Sequence, residues 1–464
     1  MALRQAGGHD KGMTKLAIFS RRAALAGLGA AVAAPPLAAY AKATPRSSGV
    51  LDGAAFGLVP NDPADQSQKL QAALEAAAKG GLPLFLAGGR YLVGGIQLPA
   101  GISFGGVSGA TVLSGTGSQP ILSARDVANV SLSALTLDGQ GSGSSAQSGL
   151  LDCRNCAGLN LEKLTMRGGP GSGLLLSSCA GLVTGNIFTG HAQAGIFANN
   201  SQGLTIAQNS ISQCGNGGIL VWRDASGADG TIVTGNRVSS ISARDGGSGQ
   251  NGNGINVFRA DGVTIADNVV SDCDFSAIRV NAGQDTIVRG NGISNCREVA
   301  IYSEFDFSGS EISGNVIDGA AAGISITNSK EGGRLAVCAN NIVRNITPNS
   351  PTNPDVRPYG IAAEADTVIS GNTVDSVPGI GIAAGYGVYL RNVLIANNIV
   401  SRAATGIAVS VVNGAGPVRI ADNMISGATI AALAGMQWDK IASADLVADA
   451  AQFPNVALAG NTVS

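Results

Sequence analysis

Four residues invite a chemical reading first. The stretch AIYSEFDFSG, residues 300–309, sets Tyr302, Glu304 and Asp306 at alternate positions, in a chain only 13% charged and 4% aromatic. Arg279 precedes Tyr302 by 23 residues. β-Elimination of a uronate needs a base at C5 and a cation beside the sugar carboxylate. Tyr302 and Arg279 are residues of those types. Glycoside hydrolysis needs two carboxyl groups ~5–9.5 Å apart, for which Glu304 and Asp306 are candidates. Without either reaction, aromatic stacking and arginine pairing would hold a glycan or small molecule unchanged. Trp222, Asn256, Phe258, Arg259, Asn281 and Thr327 are the expected ligand-binding side chains.

These residues meet only if the chain coils, and its repeats say that it does. A phrase built on x-Asn-x-[Ile/Val] recurs at Asn186, Asn209, Asn236, Asn268, Asn291, Asn315, Asn340, Asn372, Asn397, Asn423 and Asn461. The shorter spacings are 23–25 residues, and the longer ones read as that unit plus an insertion. A second phrase falls between them: GIFAN at Gly195, GILVW at Gly218, GINVF at Gly254, AIRVN at Ala277, AIYSE at Ala300, GISIT at Gly323. A third, such as GVTIADN, leads into each Asn. Three short strands per turn of about 23 residues predict an all-β fold, a single-stranded right-handed parallel β-helix of about 11–13 rungs. Asn accepts the left-handed corner conformation, and stacked amides can bond along the axis. The Asn column is therefore structural.

Strand alternation sends Ile255 and Val257 inward and Asn256 and Phe258 outward. The first outward column then reads Phe197, Leu220, Asn256, Arg279, Tyr302, Ser325, Ala362. The second reads Asn199, Trp222, Phe258, Asn281, Glu304, Thr327, Glu364. The two largest internal insertions, SSISARDGGSGQNGN and RNITPNSPTNPDVRPY, enter at one corner beside this face. They would wall a floor of four rungs, about 20 Å at ~4.8 Å per rung.

Stack ends must be covered. Asp65, with Gln68 three residues on, reads as a capping-box start to an amphipathic helix in QSQKLQAALEAAAKGG, the expected N-terminal plug. The C-terminal closure is expected in AGMQWDKIASADLVADAAQFPNVALAGNTVS. Cys214, Cys273 and Cys296 each follow a column Asn by five residues and should stack in the core. Cys153 and Cys156 form a lone CxxC, which leaves a disulfide open and is weak evidence for zinc.

Residues 1–43 read as an address. Ser20-Arg21-Arg22 precedes an Ala-rich apolar run, then Pro35-Pro36 and small residues, the layout of a twin-arginine export signal. The run is too short to span ~30 Å of hydrocarbon. The expected division is a signal over 1–43, a cap with the helix and first strands over 44–99, and the β-helix over 100–464. The twin-arginine translocase is then a partner in export. The mature protein is expected in the periplasm or secreted, with no membrane association. The net charge of −2, without a basic block, argues against nucleic acid. The two histidines are His9, in the leader, and His191, which argues against a histidine-based metal site.

The leader, the rungs and the phrases VFRADGVTI, EVAIYSEFDFSG, NSKEGGRLAV and GYGVYLRNV resemble a family of twin-arginine-translocated repeat proteins of proteobacteria. Their repeat carries a cofactor-binding label. The resemblance covers nearly the whole chain. It implies a β-helix exported to the periplasm, and assigns neither reaction nor cofactor. FGLVPNDPADQSQKLQAALEAA with LFLAGGRYLV resembles the opening of pectate-lyase-like β-helix enzymes. The N-T-D, D-D, G-H-G and R-I-K motifs of polygalacturonases and the D-P-H-D motif of alginate epimerases are absent, so no catalytic residue carries over. Three functions stand open: a polysaccharide lyase, epimerase or hydrolase; a ligand- or cofactor-binding repeat protein; and a scaffold with no pocket.

Overall fold

The computed structural model describes residues 49–464 except 140–144, 146, 248, 328, 329 and 331. The expected signal over 1–43 lies outside the described residues. Residues 49–464 form one compact unit, a right-handed parallel β-solenoid of about 14 turns. Each turn lays down three strands, as in Thr264–Ala266, Val269–Cys273 and Ile278–Asn281. Apart from Lys440–Ser443, the strands pair in parallel with their counterparts one turn away.

The Gly-Ile phrase explains its own composition. Ile196, Ile219, Ile255, Ile278, Ile301, Ile324 and Ile361 stack in register and are 0% exposed. Each such burial contributes roughly 1.5–3 kcal/mol. The preceding residue is Gly where turns approach closely. A Cβ on Gly218 would collide with the carbonyl of Gly254, and one on Gly323 with that of Gly360.

The Asn corner forms a continuous ladder. Asn268 Nδ2 donates to Asn291 Oδ1 at 3.0 Å and to the Val233 carbonyl at 3.0 Å, while its backbone N–H donates to the same Asn291 Oδ1 at 3.0 Å. The pattern runs from Asn186 to Asn461. It corrects the expected column in two places. The ladder members are Asn341 and Asn398, not Asn340 and Asn397. Nor do ladder asparagines take the left-handed conformation. The residue before each does: Gly235, Asp267, Gly290, Asn340 and Asn397 all have φ between 57° and 66°. In the Asn-Asn doublets the first Asn makes the corner and the second makes the ladder.

The N-terminal plug is the helix Ser67–Gly80, which buries Leu70, Ala73, Leu74 and Ala77, one stripe at helical spacing. The expected capping box does not form. Gln66 is the N-cap, and its side chain turns away to bond the Val59 backbone. Asp65 accepts from the Ser67 N–H at 2.7 Å and from the Thr116 hydroxyl at 3.0 Å. At the other end Ala431–Gln437 pairs antiparallel with Lys440–Ser443, and the short helix Leu446–Asp449 seats Leu446 on the core at 0% exposure. All seven cysteines are free and buried. Cys153 and Cys156 form no disulfide; the Cys156 thiol donates to the Ala124 and Arg154 carbonyls instead.

Candidate functional site

The outward columns over the Gly-Ile strands lie in the expected register. Asn256 pairs with Arg279 and Arg279 with Tyr302; Phe258 pairs with Asn281 and Asn281 with Glu304. Here the rungs do not repeat one another. Trp222 meets Phe197 edge-on at 5.2 Å between centroids and Phe258 at 6.1 Å. The Arg259 guanidinium lies 4.7 Å from the Phe258 centroid and donates to the Asp224 carbonyl. One rung on, Arg279 stacks over Tyr302 at 4.8 Å.

Arg279 is the hub of a buried network. Its Nε donates to Glu304 Oε1 at 2.6 Å and its Nη1 reaches Glu298 Oε2 at 3.4 Å. Asn281 donates to the same Glu304 oxygen at 2.9 Å. Glu298 also accepts from the Ser276 hydroxyl at 2.7 Å and from Asn353, on the second insertion, at 2.9 Å. Arg279, Glu298 and Glu304 are 6%, 1% and 2% exposed. Burial works against the Arg279 cation, yet Glu304 and Glu298 hold its pKa above the ordinary value. Burial pushes the Glu304 carboxyl up, against the pull of Arg279. Burial and then Glu304 push the Tyr302 phenol up, although Thr327 reaches its hydroxyl.

Two cavities flank the Arg279–Tyr302 stack. One, of about 330 Å³, is lined by Trp222, Asn256, Phe258, Arg279, Asn281 and Phe305, with Gly249 and Gln250 of the first insertion over it. The Asn256 amide donates to the Gly249 carbonyl at 2.8 Å and ties that loop down. The other, of about 340 Å³, has Tyr302, Thr327, Tyr359, Glu364 and Tyr386 on the floor side and Asp355 and Arg357 on the second insertion. That insertion folds back over earlier turns, where the Thr352 hydroxyl bonds the Asp274 carbonyl at 2.7 Å. The C-terminal hairpin closes the far end. Trp438 packs edge-on against Tyr386 at 5.1 Å, and Asp439 pairs with Arg357 and accepts from the Tyr386 hydroxyl.

Asp306 stands apart from the other expected site residues. Phe305 turns the corner with φ of 61°, so strand alternation ends there. Asp306 is exposed, lines neither cavity, and its carboxylate lies beside Gly332 beyond the corner. The structure therefore does not join it to Glu304 as a pair facing one cleft. Sequence reasoning missed Glu298, Asn353, Asp355, Arg357, Tyr359, Tyr386, Trp438 and Asp439. The second insertion and GYGVYLRNV were visible as segments, but periodicity does not tell where non-repeating segments fold.

A family model described as a right-handed β-helix region matches residues 148–246. One described as a periplasmic copper-binding protein, NosD, matches residues 234–353. No curated protein sequence matches the chain. Among solved structures, PfbA, a surface adhesin of Streptococcus pneumoniae, is similar at a TM-score of 0.51 and 11% identity, over 85% of this chain and 94% of that one. The catalytic unit of a thermostable α-1,3-glucanase from Streptomyces thermodiastaticus is similar at 0.51 and 13%, over 91% and 71%. An adhesin and a hydrolase on one architecture show that the fold alone does not choose between binding and chemistry.

Copper does not suit the donors present. Residues 234–353 hold no His and no Met, and their cysteines, Cys273, Cys296 and Cys338, are buried in the core. Among the described residues no three His, Cys, Asp or Glu side chains converge as a metal site would require. His191 is 0% exposed with its Nε2 on the Met166 carbonyl, and burial drives its pKa down to about 4. No helix of the described residues is long and apolar enough to cross a membrane.

Proposed function

We propose that this is an exported β-helix protein that binds a polysaccharide or glycan in the groove over the Gly-Ile face. The twin-arginine route and a periplasmic or secreted location belong to the same proposal. They rest on the leader and on the likeness of residues 234–353 to a periplasmic family.

The observation that carries the reading is the row of aromatic and polar side chains from Trp222 to Tyr386, set in two cavities along one column and walled by insertions. The run crosses six rung steps, about 29 Å at ~4.8 Å each, enough for several sugar rings. Aromatic faces take up the C–H faces of sugars, while Asn256, Asn281, Thr327 and Asn353 supply directional hydrogen bonds at the rims.

Binding suits the central residues better than turnover. A base at C5 needs a phenol of lowered pKa, whereas that of Tyr302 is raised. Arg279 already faces two carboxylates. Hydrolysis has one observation in its favour, that Asp355 and Glu364 line the same cavity. Affinity electrophoresis of the purified protein through a panel of soluble polysaccharides, with reducing ends and unsaturated ends assayed in parallel, tests the proposal. Retardation by one saccharide class, weakened in Trp222→Phe and Tyr386→Ala, is expected. Release of reducing ends, abolished in Asp355→Asn, would replace binding with hydrolysis. No retardation by any saccharide would remove the reading.

A further inference from the structure

We infer that the groove selects an uncharged glycan and rejects uronates, an inference that rests on the saccharide reading. It follows from an inventory of charge along the two cavities.

Among the described residues two basic side chains line them, Arg279 in one and Arg357 in the other; Arg259, stacked on Phe258, lines neither. Both are already engaged. Arg279 has Glu304 on its Nε, Glu298 by its Nη1 and the Tyr302 ring across its face, and is 6% exposed. Arg357 has Asp439 on its Nη1 and Tyr386 against its face at 5.7 Å. Each therefore presents an ion pair to the groove rather than a net positive charge. Asp355 lines the second cavity from the insertion, is exposed, and has no basic partner among the described residues.

A uronate polymer carries one carboxylate per residue. Held here, it would have to displace Glu304 or Asp439 from its arginine or lie beside Asp355. Displacing Glu304 leaves a carboxylate buried without its cation, and lying beside Asp355 sets like charges together. A neutral sugar meets neither obstacle. Its hydroxyls donate to Asp355 and accept from Asn256 and Asn281, and its rings stack on the aromatic side chains. The paired arginines thus act as a charge filter, with their attraction for carboxylates cancelled.

Calorimetric titration of the full protein with neutral hexasaccharides (gluco-, manno- and xylo-) and with hexagalacturonate separates the possibilities. At least one neutral hexasaccharide should bind, at least about tenfold tighter than hexagalacturonate. Asp439→Asn, at an exposed position, should leave Arg357 cationic and narrow that ratio, more so at low salt. Glu304→Gln should do the same at Arg279. Equal or tighter binding of hexagalacturonate to the unaltered protein overturns the inference and leaves the saccharide reading standing. A ratio unchanged in a folded Asp439→Asn protein overturns the filter mechanism. Binding of no saccharide removes the reading and the inference together.

Discussion

The Asn corner and the Gly-Ile face belong to the same turns and obey the same register, yet they are built on opposite rules. Along the corner, one side chain recurs and every rung solves the same problem in the same way. Asn209, Asn236, Asn268, Asn291 and Asn315 each give one oxygen to the rung before and take one from the rung after. Along the face, the outward position changes at every rung, from Phe197 through Leu220, Asn256 and Arg279 to Tyr302. Repetition lets identical groups satisfy each other and so stabilises the stack. Variation leaves groups whose partners come from loops, or from outside the chain. In a solenoid, function is to be sought where the repeat is broken.

The largest effect that tests this contrast is at the corner. Asn291→Ala strips an acceptor from two donors of Asn268 and leaves the Asn315 amide oxygen and the Ile265 carbonyl short of a donor. Each buried group left without a partner costs about 1–3 kcal/mol, so urea denaturation should show a loss of about 3–5 kcal/mol. A loss below about 1 kcal/mol would make the ladder decoration. Next comes His191, which joins the corner strand to the face strand of its turn. Its folded pKa of about 4 lies below the ordinary 6.5. Its stabilising contribution is thus complete above pH 6.5 and is lost as pH falls toward 4. The loss is about 3 kcal/mol, read as a decline in melting temperature that His191→Gln should lack.

The face should respond the other way, with large changes in binding and small ones in stability. Tyr386→Ala removes a stacking surface that is already 38% exposed. Glycan affinity should fall about tenfold while unfolding free energy changes by less than about 1 kcal/mol. Subtler still is Glu304. Its folded pKa is raised by burial, so its contribution is fully present below about 4.5 and is lost as pH rises through the folded value. Glu304→Gln should flatten that limb of the stability–pH curve. An unchanged limb in the variant would mean that Glu304 is not the group titrating.

Much of this architecture could be read from periodicity, because a β-helix writes its register into the chain. A spacing of 23 residues was enough to stack Arg279 on Tyr302, and the recurring Gly-Ile phrase set Trp222 and Phe258, 36 residues apart, in one column. What escaped was local or non-repeating. Asn340 and Asn341 are equivalent as letters, and only the left-handed φ of the first separates corner from ladder. Asp306 continued the alternation on paper, but Phe305 had already turned the chain. Asp65 and Gln68 matched a capping pattern that Gln66 pre-empted by bonding Val59. The second half of the groove depends on where Asp355, Arg357 and the Trp438 hairpin fold back, and no repeat encodes that.

The chain offers its own probe of the groove, since its two tryptophans, Trp222 and Trp438, stand near opposite ends of it. Intrinsic fluorescence followed while a retained neutral oligosaccharide is titrated in should change saturably, at the concentrations where calorimetry records binding. Trp222→Phe should abolish part of that change and Trp438→Phe the rest. Saturable binding by calorimetry with the emission of both tryptophans unmoved would put the ligand elsewhere and contradict the account.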